Sequence, residues 1–234
     1  MGKRSKRYEK SLKVYNPTTA YSLREAIKIL KKFEPTKFDE SAEMSFQLGV
    51  EADKTEVTVR GTAALPNGTG KKVRIMCFAQ GETQKAAEAA GADFVGAEDY
   101  VQKIESGWLD FDAVVATPDL MRAISRLGKV LGPRGLMPTP KTGTVTQDVA
   151  KAIKEIKAGR VEFKGDKTGG LHVAFGKRSF TEEALYQNAK VIVKAILDAK
   201  PATSKGDYLR SVSVALSQSP GVRVKNSALS VVEE

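Results

Sequence analysis

Cysteine and histidine are almost missing from this sequence: Cys77 and His172 are the only residues of their kinds. A single cysteine excludes an internal disulfide framework and is compatible with a reducing compartment. Neither a two-histidine nor a multi-cysteine metal site can be assembled from such a chain, so no metal is expected. Cys77 lies in the apolar run Ile75-Met76-Cys77-Phe78, where an inert buried thiol is the expected state. Long apolar runs are missing as well. The most apolar stretch, residues 191–197, is broken by Lys194, so no segment is long enough to span a membrane as a helix. The basic N-terminal stretch (Lys3, Arg4, Lys6, Arg7, Lys10 and Lys13 against Glu9) has no apolar core behind it and is not expected to be a secretory signal. It reads as a solvated arm, either a frayed tail or an RNA contact.

What the sequence does contain is cations. The 38 Lys and Arg against 28 Asp and Glu give a formal charge of +10, a balance that favours a polyanionic partner. At 234 residues and 41% hydrophobic content the chain can bury a core and divide into two modest domains.

The first helical period is Leu23, Ala26, Ile27 and Leu30, and Ser22 with Glu25 forms a capping-box pattern before it. Alternation over residues 44–50 predicts a half-buried strand, and a second strand is expected at 57–59. The cluster Leu65-Pro66-Asn67-Gly68-Thr69-Gly70 then punctuates the chain. Beyond it, short apolar strands (73–79, 92–95, 113–116) alternate with helices (82–90, 99–105), the grammar of a parallel α/β layer. The Gly- and Pro-rich stretch 131–141 cannot be a regular helix. A helix over 147–157 follows, then strands at 160–164 and 170–175 flanking the turn Gly165-Asp166-Lys167-Thr168-Gly169. A helix from Thr181 to about residue 199 and a strand over 208–216 complete the chain.

The style of the first and last segments is shared and the middle differs, so one domain is read as inserted into another. The expected fold class is α/β in two domains. An outer α+β sandwich is formed by both chain ends (1–67 and 160–234), and a parallel-sheet, Rossmann-like middle domain (68–159) is inserted. From 68 to 159 there are 13 basic and 11 acidic residues, a net of +2, which leaves +8 outside; the N-terminal arm carries +5 of that. The folded outer part is therefore only mildly basic, and recognition there must come from shape and hydrogen bonds.

Nucleotide chemistry in the middle domain is the competing reading, a nucleotide-dependent enzyme. The loop after its first strand, Ala79-Gln80-Gly81-Glu82-Thr83, has one glycine and an acid where a phosphate would sit, and Gly68-Thr69-Gly70-Lys71-Lys72 precedes a strand instead of a helix. No cofactor and no catalytic residue are expected. Asp110 and Asp112 read as a polar turn, Trp108 and Phe111 as packing, and His172 as a core, surface or RNA-contacting residue.

The stretch Gly132-Pro133-Arg134-Gly135-Leu136-Met137-Pro138, with Pro140-Lys141 and Gly143-Thr144-Val145, resembles the signature of the ribosomal protein L-one family of the large subunit, in its bacterial form. Lys37-Phe38-Asp39-Glu40, Val59-Arg60-Gly61-Thr62, Phe111-Asp112-Ala113-Val114-Val115-Ala116-Thr117-Pro118-Asp119 and Asp166-Lys167-Thr168-Gly169 resemble further family segments, in the family's order. The resemblance implies an outer domain that holds a looped region of large-subunit ribosomal RNA. It also implies a mobile stalk beside the exit site for spent tRNA, and repression of the protein's own operon mRNA through a mimic of the ribosomal site. It implies a cytoplasmic, ribosome-bound protein, monomeric off the ribosome, with no membrane partner, and two glycine-containing hinges near 65–71 and 157–160. Carried over by position, the RNA-contacting residues are Lys37, Phe38, Glu43, Asp166, Lys167, Thr168, His172, Ser211, Ser217, Gln218 and Ser219. Alone, Phe38 could also be core and Asp166-Lys167-Thr168 only a tight turn. Where the family shows a Thr-Thr-Met-Gly run, this chain has Ser217-Gln218-Ser219-Pro220, losing a flexible apolar side chain and a residue free to take positive φ.

Overall fold

The structure, a computed structural model, describes residues 5–49, 59–201, 204 and 206–226. In chain order the elements are helices α1 (Lys6–Leu12) and α2 (Leu23–Lys32), strands β1 (Ser41–Leu48), β2 (Arg60–Ala64) and β3 (Ile75–Phe78), helix α3 (Glu82–Ala89), strand β4 (Phe94–Gly96), helix α4 (Glu98–Glu105) and strand β5 (Ala113–Ala116). There follow the short helices α5 (Met121–Ile124) and α6 (Gly128–Leu131), helix α7 (Val149–Ala158), strands β6 (Arg160–Lys164) and β7 (Gly170–Lys177), helix α8 (Glu182–Asp198), and strands β8 (Leu209–Leu216) and β9 (Val222–Val224). These elements form two compact units, residues 1–70 with 159–234, and residues 71–158. Among the described residues no helix is long and apolar enough to cross a membrane.

The first unit is built on an antiparallel sheet in the order β7-β1-β8-β9. The alternation of β1 buries Met44, Phe46 and Leu48, and the ladders set Val173 and Leu171 on one side and Val214 and Val212 on the other beside Met44 and Phe46. Two helices close that apolar face. The Ser22 hydroxyl accepts from the Glu25 amide while the Glu25 carboxylate accepts from the Ser22 amide, so α2 starts at the predicted box and buries Leu23, Ala26, Ile27 and Leu30. Thr181 caps α8, which buries Leu185, Ala189, Ile192, Val193 and Ile196 along one stripe. Each large side chain removed from water here contributes about 1.5–3 kcal/mol. Strands β2 and β6 form a separate two-stranded ladder, with Arg60 Nε 2.8 Å from Glu162 Oε1.

In the second unit β4-β3-β5 is a parallel sheet covered on both faces, which is why β3 reads as an unbroken apolar run. Ile75 and Cys77 pack with α3 and α7, while Met76 and Phe78 pack with α4 and the 121–131 helical turns. Burial pushes the Cys77 thiol up to about 12, so the inert reading holds. Trp108 meets Phe94 edge-on at 4.8 Å and Phe111 at 5.5 Å, as packing residues. Asp112 accepts from Lys71 Nζ at 2.6 Å, which holds its carboxyl below the ordinary range, and also binds Arg74. After α6 the Gly- and Pro-rich stretch is irregular apart from one 3-10 turn, Pro140–Thr142. The hydroxyls of Thr139, Thr142 and Thr144 bond one another there at 2.8 and 3.0 Å, and the Thr144 carbonyl accepts from Ala116, laying residues 144–146 beside β5.

Several expectations need correction. The basic arm is not a solvated tail from residue 6 on: Ser5 caps α1, Ser11 is buried, and Lys10 pairs with Glu34 at 3.0 Å. Lys3 and Arg4 lie outside the described residues, as do Val50 and residues 57 and 58 of the expected second strand, and β2 begins at Arg60. The expected strand at 92–95 is shifted to Phe94–Gly96, because Asp93 bonds the Ile75 amide and Ala92 ends the turn after α3.

Buried Asn188 of α8 ties the turn at residues 66–68. Its Nδ2 donates to the carbonyls of Gly68 (2.9 Å) and Phe175 (2.8 Å), and its Oδ1 accepts from the Asn67 amide (3.1 Å). Gly159, at φ +108°, lies against this turn so closely that a Cβ on it would stand 2.4 Å from Gly68 Cα. Asn188→Ala orphans three backbone groups and should lower the unfolding free energy by about 2–4 kcal/mol in urea denaturation. Gly159→Ala should destabilise the protein more than Gly81→Ala in the same assay: Gly81 also has positive φ but nothing within 4 Å of its added Cβ.

Candidate nucleic-acid interface

The face of the four-stranded sheet opposite α2 and α8 carries the polar half of each strand's alternation. On β1 these are Glu43, Ser45 and Gln47; the ladders place Ala174 and Ala215 beside Glu43, His172 and Ser213 beside Ser45, and Ser211 beside Gln47. Arg223 of β9 pairs with Ser213, so His172, Ser45, Ser213 and Arg223 form one row across all four strands. At about 4.8 Å per strand this row is roughly 14 Å wide, and β1 runs roughly 25 Å past it. His172 is exposed, with Nδ1 3.0 Å from Ser45 Oγ, and this ends the choice between core and surface. The row offers hydroxyls, an imidazole and a guanidinium, groups that can bond ribose hydroxyls, base edges and phosphate.

At the end of β1 near Ser41 stand Lys37, Phe38 and the turn of residues 217–219. Lys37 is exposed and Phe38 is 49% exposed, so Phe38 is not core; Thr36 Oγ1 donates to its carbonyl at 2.7 Å. The Ser217 hydroxyl accepts from the Ser41 amide at 3.1 Å and Ser219 Oγ accepts from the Leu216 amide at 2.8 Å. Both serines therefore shape the turn. Beneath it Glu40 is fully buried. Its carboxylate accepts from Arg178 Nη1 at 3.1 Å and from the Gln218 amide at 3.1 Å, with Arg7 Nη1 at 3.8 Å; Arg7 also donates to the Gln218 carbonyl. One carboxylate thus joins residue 40 to three other segments of the chain, at residues 7, 178 and 218.

At the opposite end is the turn between β6 and β7. Asp166 Oδ1 accepts from Thr168 Oγ1 (2.7 Å), the Thr168 amide (2.8 Å) and the Gly170 amide (2.7 Å), and Gln47 Nε2 donates to the Thr168 carbonyl at 2.7 Å. Asp166 and the Thr168 hydroxyl are thus spent on the turn itself, while Lys167 is exposed at its tip.

The structure brings Glu43, His172 and Ser211 onto one face and sets Lys37, Phe38 and residues 217–219 at one end of it, 166–168 at the other. The sequence reading missed Ser45 and Ser213, although the alternation Ser41, Glu43, Ser45, Gln47 signals the first and Ser211-Val212-Ser213-Val214 the second. It also missed Arg223, on a strand of three residues, and the Glu40 network, which no local pattern announces.

The bonds from Thr168 and Gly170 hold the Asp166 carboxyl below its ordinary range. A carboxyl depressed in the folded state adds stability above its unfolded pKa, and the gain is lost as pH falls through the folded value. A carbon-detected NMR titration should place the Asp166 midpoint below that of an unstructured aspartate, and protection of the Thr168 and Gly170 amides should fall across the same window. In Asp166→Asn that pH dependence should vanish.

A model of the Ribosomal protein L1p/L10e family matches residues 30–220, a span that takes in β1, β7, β8, both turns and all of residues 71–158. The chain therefore belongs to the ribosomal protein L1p/L10e family, proteins of the large ribosomal subunit that bind ribosomal RNA.

Proposed function

We propose that the open sheet face, with Lys37 and Phe38 at one end and Lys167 at the other, is the surface that holds a looped region of large-subunit ribosomal RNA. In this reading the protein and its RNA form a mobile stalk beside the exit site for spent tRNA and assist its release. The same surface, offered an mRNA that mimics the ribosomal site, represses translation of the protein's own operon. The protein acts in the cytoplasm, as a monomer when off the ribosome.

The observation that carries the reading is the row His172, Ser45, Ser213, Arg223 on a face that no helix among the described residues covers. Hydroxyls at this spacing suit 2′-hydroxyls and base edges of an irregular RNA loop, and exposed Phe38 suits a sugar or base. Glycines at positive φ support the mobility: Gly68 (66°), Gly70 (72°) and Gly159 (108°) lie where the chain passes between the two units. A nucleotide-dependent enzyme in residues 71–158 finds less support, since Glu82 opens α3 beside the loop after β3.

The direct experiment is to recover and sequence RNA that copurifies with the protein; ribosomal RNA supports the first role and operon mRNA the second, and an absence of both overturns the reading. Ser45→Ala with Ser213→Ala should weaken binding of that RNA by about 2–3 kcal/mol, some 30- to 150-fold, in a filter-binding or calorimetric assay. Because few cations border the face, the slope of log affinity against log salt should be about −3, and a slope near −9, expected for ten phosphate contacts, would contradict recognition by shape.

A further inference from the structure

The crevice at the carboxyl ends of β3 and β5 takes no part in the sheet-face reading. The chain leaves β3 for β4 on one side and returns to β5 on the other, so the gap between the loops after β3 and β5 is the topological switch point of this parallel sheet, where open α/β sheets leave room for a ligand. Gln80 and Thr83 line it from the first loop, Thr117, Asp119 and Leu120 from the second, and Gln147 from the segment beyond residue 146. They surround about 300 Å³, the lower end of the range for small-molecule pockets.

Thr117 is the telling residue. It is only 6% exposed, and its backbone is fully engaged: its amide donates to the Phe78 carbonyl (3.0 Å) and its carbonyl accepts from Leu120 (3.2 Å). Its hydroxyl borders the crevice and makes no hydrogen bond among the described residues, although Thr117 precedes the 3-10 turn Pro118–Leu120, where a threonine ordinarily caps. The hydroxyl is therefore open to the crevice, a donor and an acceptor free to meet a ligand that enters there. The side chains of Gln80, Asp119 and Gln147, all lining the same space, are likewise uncommitted among the described residues.

The chemistry of the lining selects the ligand. Among its described residues Asp119 is the only charged one, and acidic Glu82 follows at the start of α3, so a free phosphate is disfavoured. Two amides can each donate and accept, as a base edge requires; a carboxylate is the usual partner of a ribose hydroxyl; Leu120 supplies an apolar wall. We propose that this crevice binds a ribonucleoside unit, its 2′-hydroxyl on Asp119, its base edge on Gln80 and Gln147, and the Thr117 hydroxyl supplying the innermost hydrogen bond. The unit is either a free nucleoside or a nucleotide unstacked from RNA, and the site stands whether or not the sheet face binds ribosomal RNA.

The test uses the full chain, labelled with 15N. Adenosine, guanosine, cytidine and uridine are titrated into the low millimolar range, and single-stranded RNA pentamers of each base separately. The side-chain amide signals of Gln80 and Gln147 should shift with at least one ribonucleoside, and its 2′-deoxy counterpart should bind about tenfold more weakly or worse. Thr117→Val should weaken binding about fivefold or more without lowering the melting temperature, and Asp119→Asn should abolish the preference for ribose over deoxyribose. A pentamer that binds more tightly than its nucleoside identifies RNA as the source, and equal affinities identify the free nucleoside. No shift with any probe, equal affinity for the deoxy compounds, or a lower melting temperature in Thr117→Val, which means the hydroxyl is already partnered, overturns the proposal.

Discussion

The pairing of β1 with β7 on one side and β8 on the other is the constraint on which the first unit depends. Strands β7, β1 and β8 come from both ends of the chain, with Ser41 opposite Lys177 and Ala42 opposite Leu216. A slip of one residue would turn Met44 and Phe46 into water and Ser45 into the core. Register is held by side chains at both ends of β1. Glu40 takes hydrogen bonds from Arg178 after β7 and Gln218 after β8, and Gln47 reaches the Thr168 carbonyl before β7. Closing so long a loop costs entropy that rises only slowly with length, and residues 71–158, compact by themselves, shorten the loop that must be closed.

That arrangement alters how the residues suggested by family resemblance are to be read. Asp166 and Ser219 use their side chains on backbone groups of their own turns and Ser217 uses its hydroxyl on the Ser41 amide of β1, so in the proposed interface these residues act through the shape of the loops. Lys37, Phe38, Lys167 and the cross-strand row remain outward and available as direct contacts. The Ser217-Gln218-Ser219 turn, where the chain departs from the family's usual run, is held by Glu40, Arg7 and the two serine hydroxyls without any residue at positive φ.

Local physics was legible in the sequence wherever it is strong. The capping box at Ser22 and Glu25, the strands Ala113–Ala116 and Arg160–Lys164, and the cap at Thr181 stand where their patterns place them. What escaped is set by contacts between distant segments. Strand β9, three residues after Pro220, is too short to show a period, and exists because Val222 and Val224 complete the buried face. Helix α1, a basic heptad with one acid, looked like an arm because its tether is Arg7 on Glu40 and Gln218. The short helices α5 and α6 precede a stretch whose prolines drew attention away from Ile124, Leu127 and Leu131, all fully buried. On the interface, the resemblance pointed to both rims and to Glu43, His172 and Ser211 on the face, while plain alternation along β1 was the signal for Ser45.

The approach of Gly159 to Gly68 has a consequence for the history of such a chain. Where the two crossings lie back to back, with no side chain between them, the host unit presents its cut ends as neighbours. A gene encoding the segment between them could be gained, lost or exchanged for another compact module without shifting a single strand of the host sheet, provided both glycines stayed. Ancestry of the two units can then be separate, and the bare backbone contact is the seam where such a recombination would be tolerated.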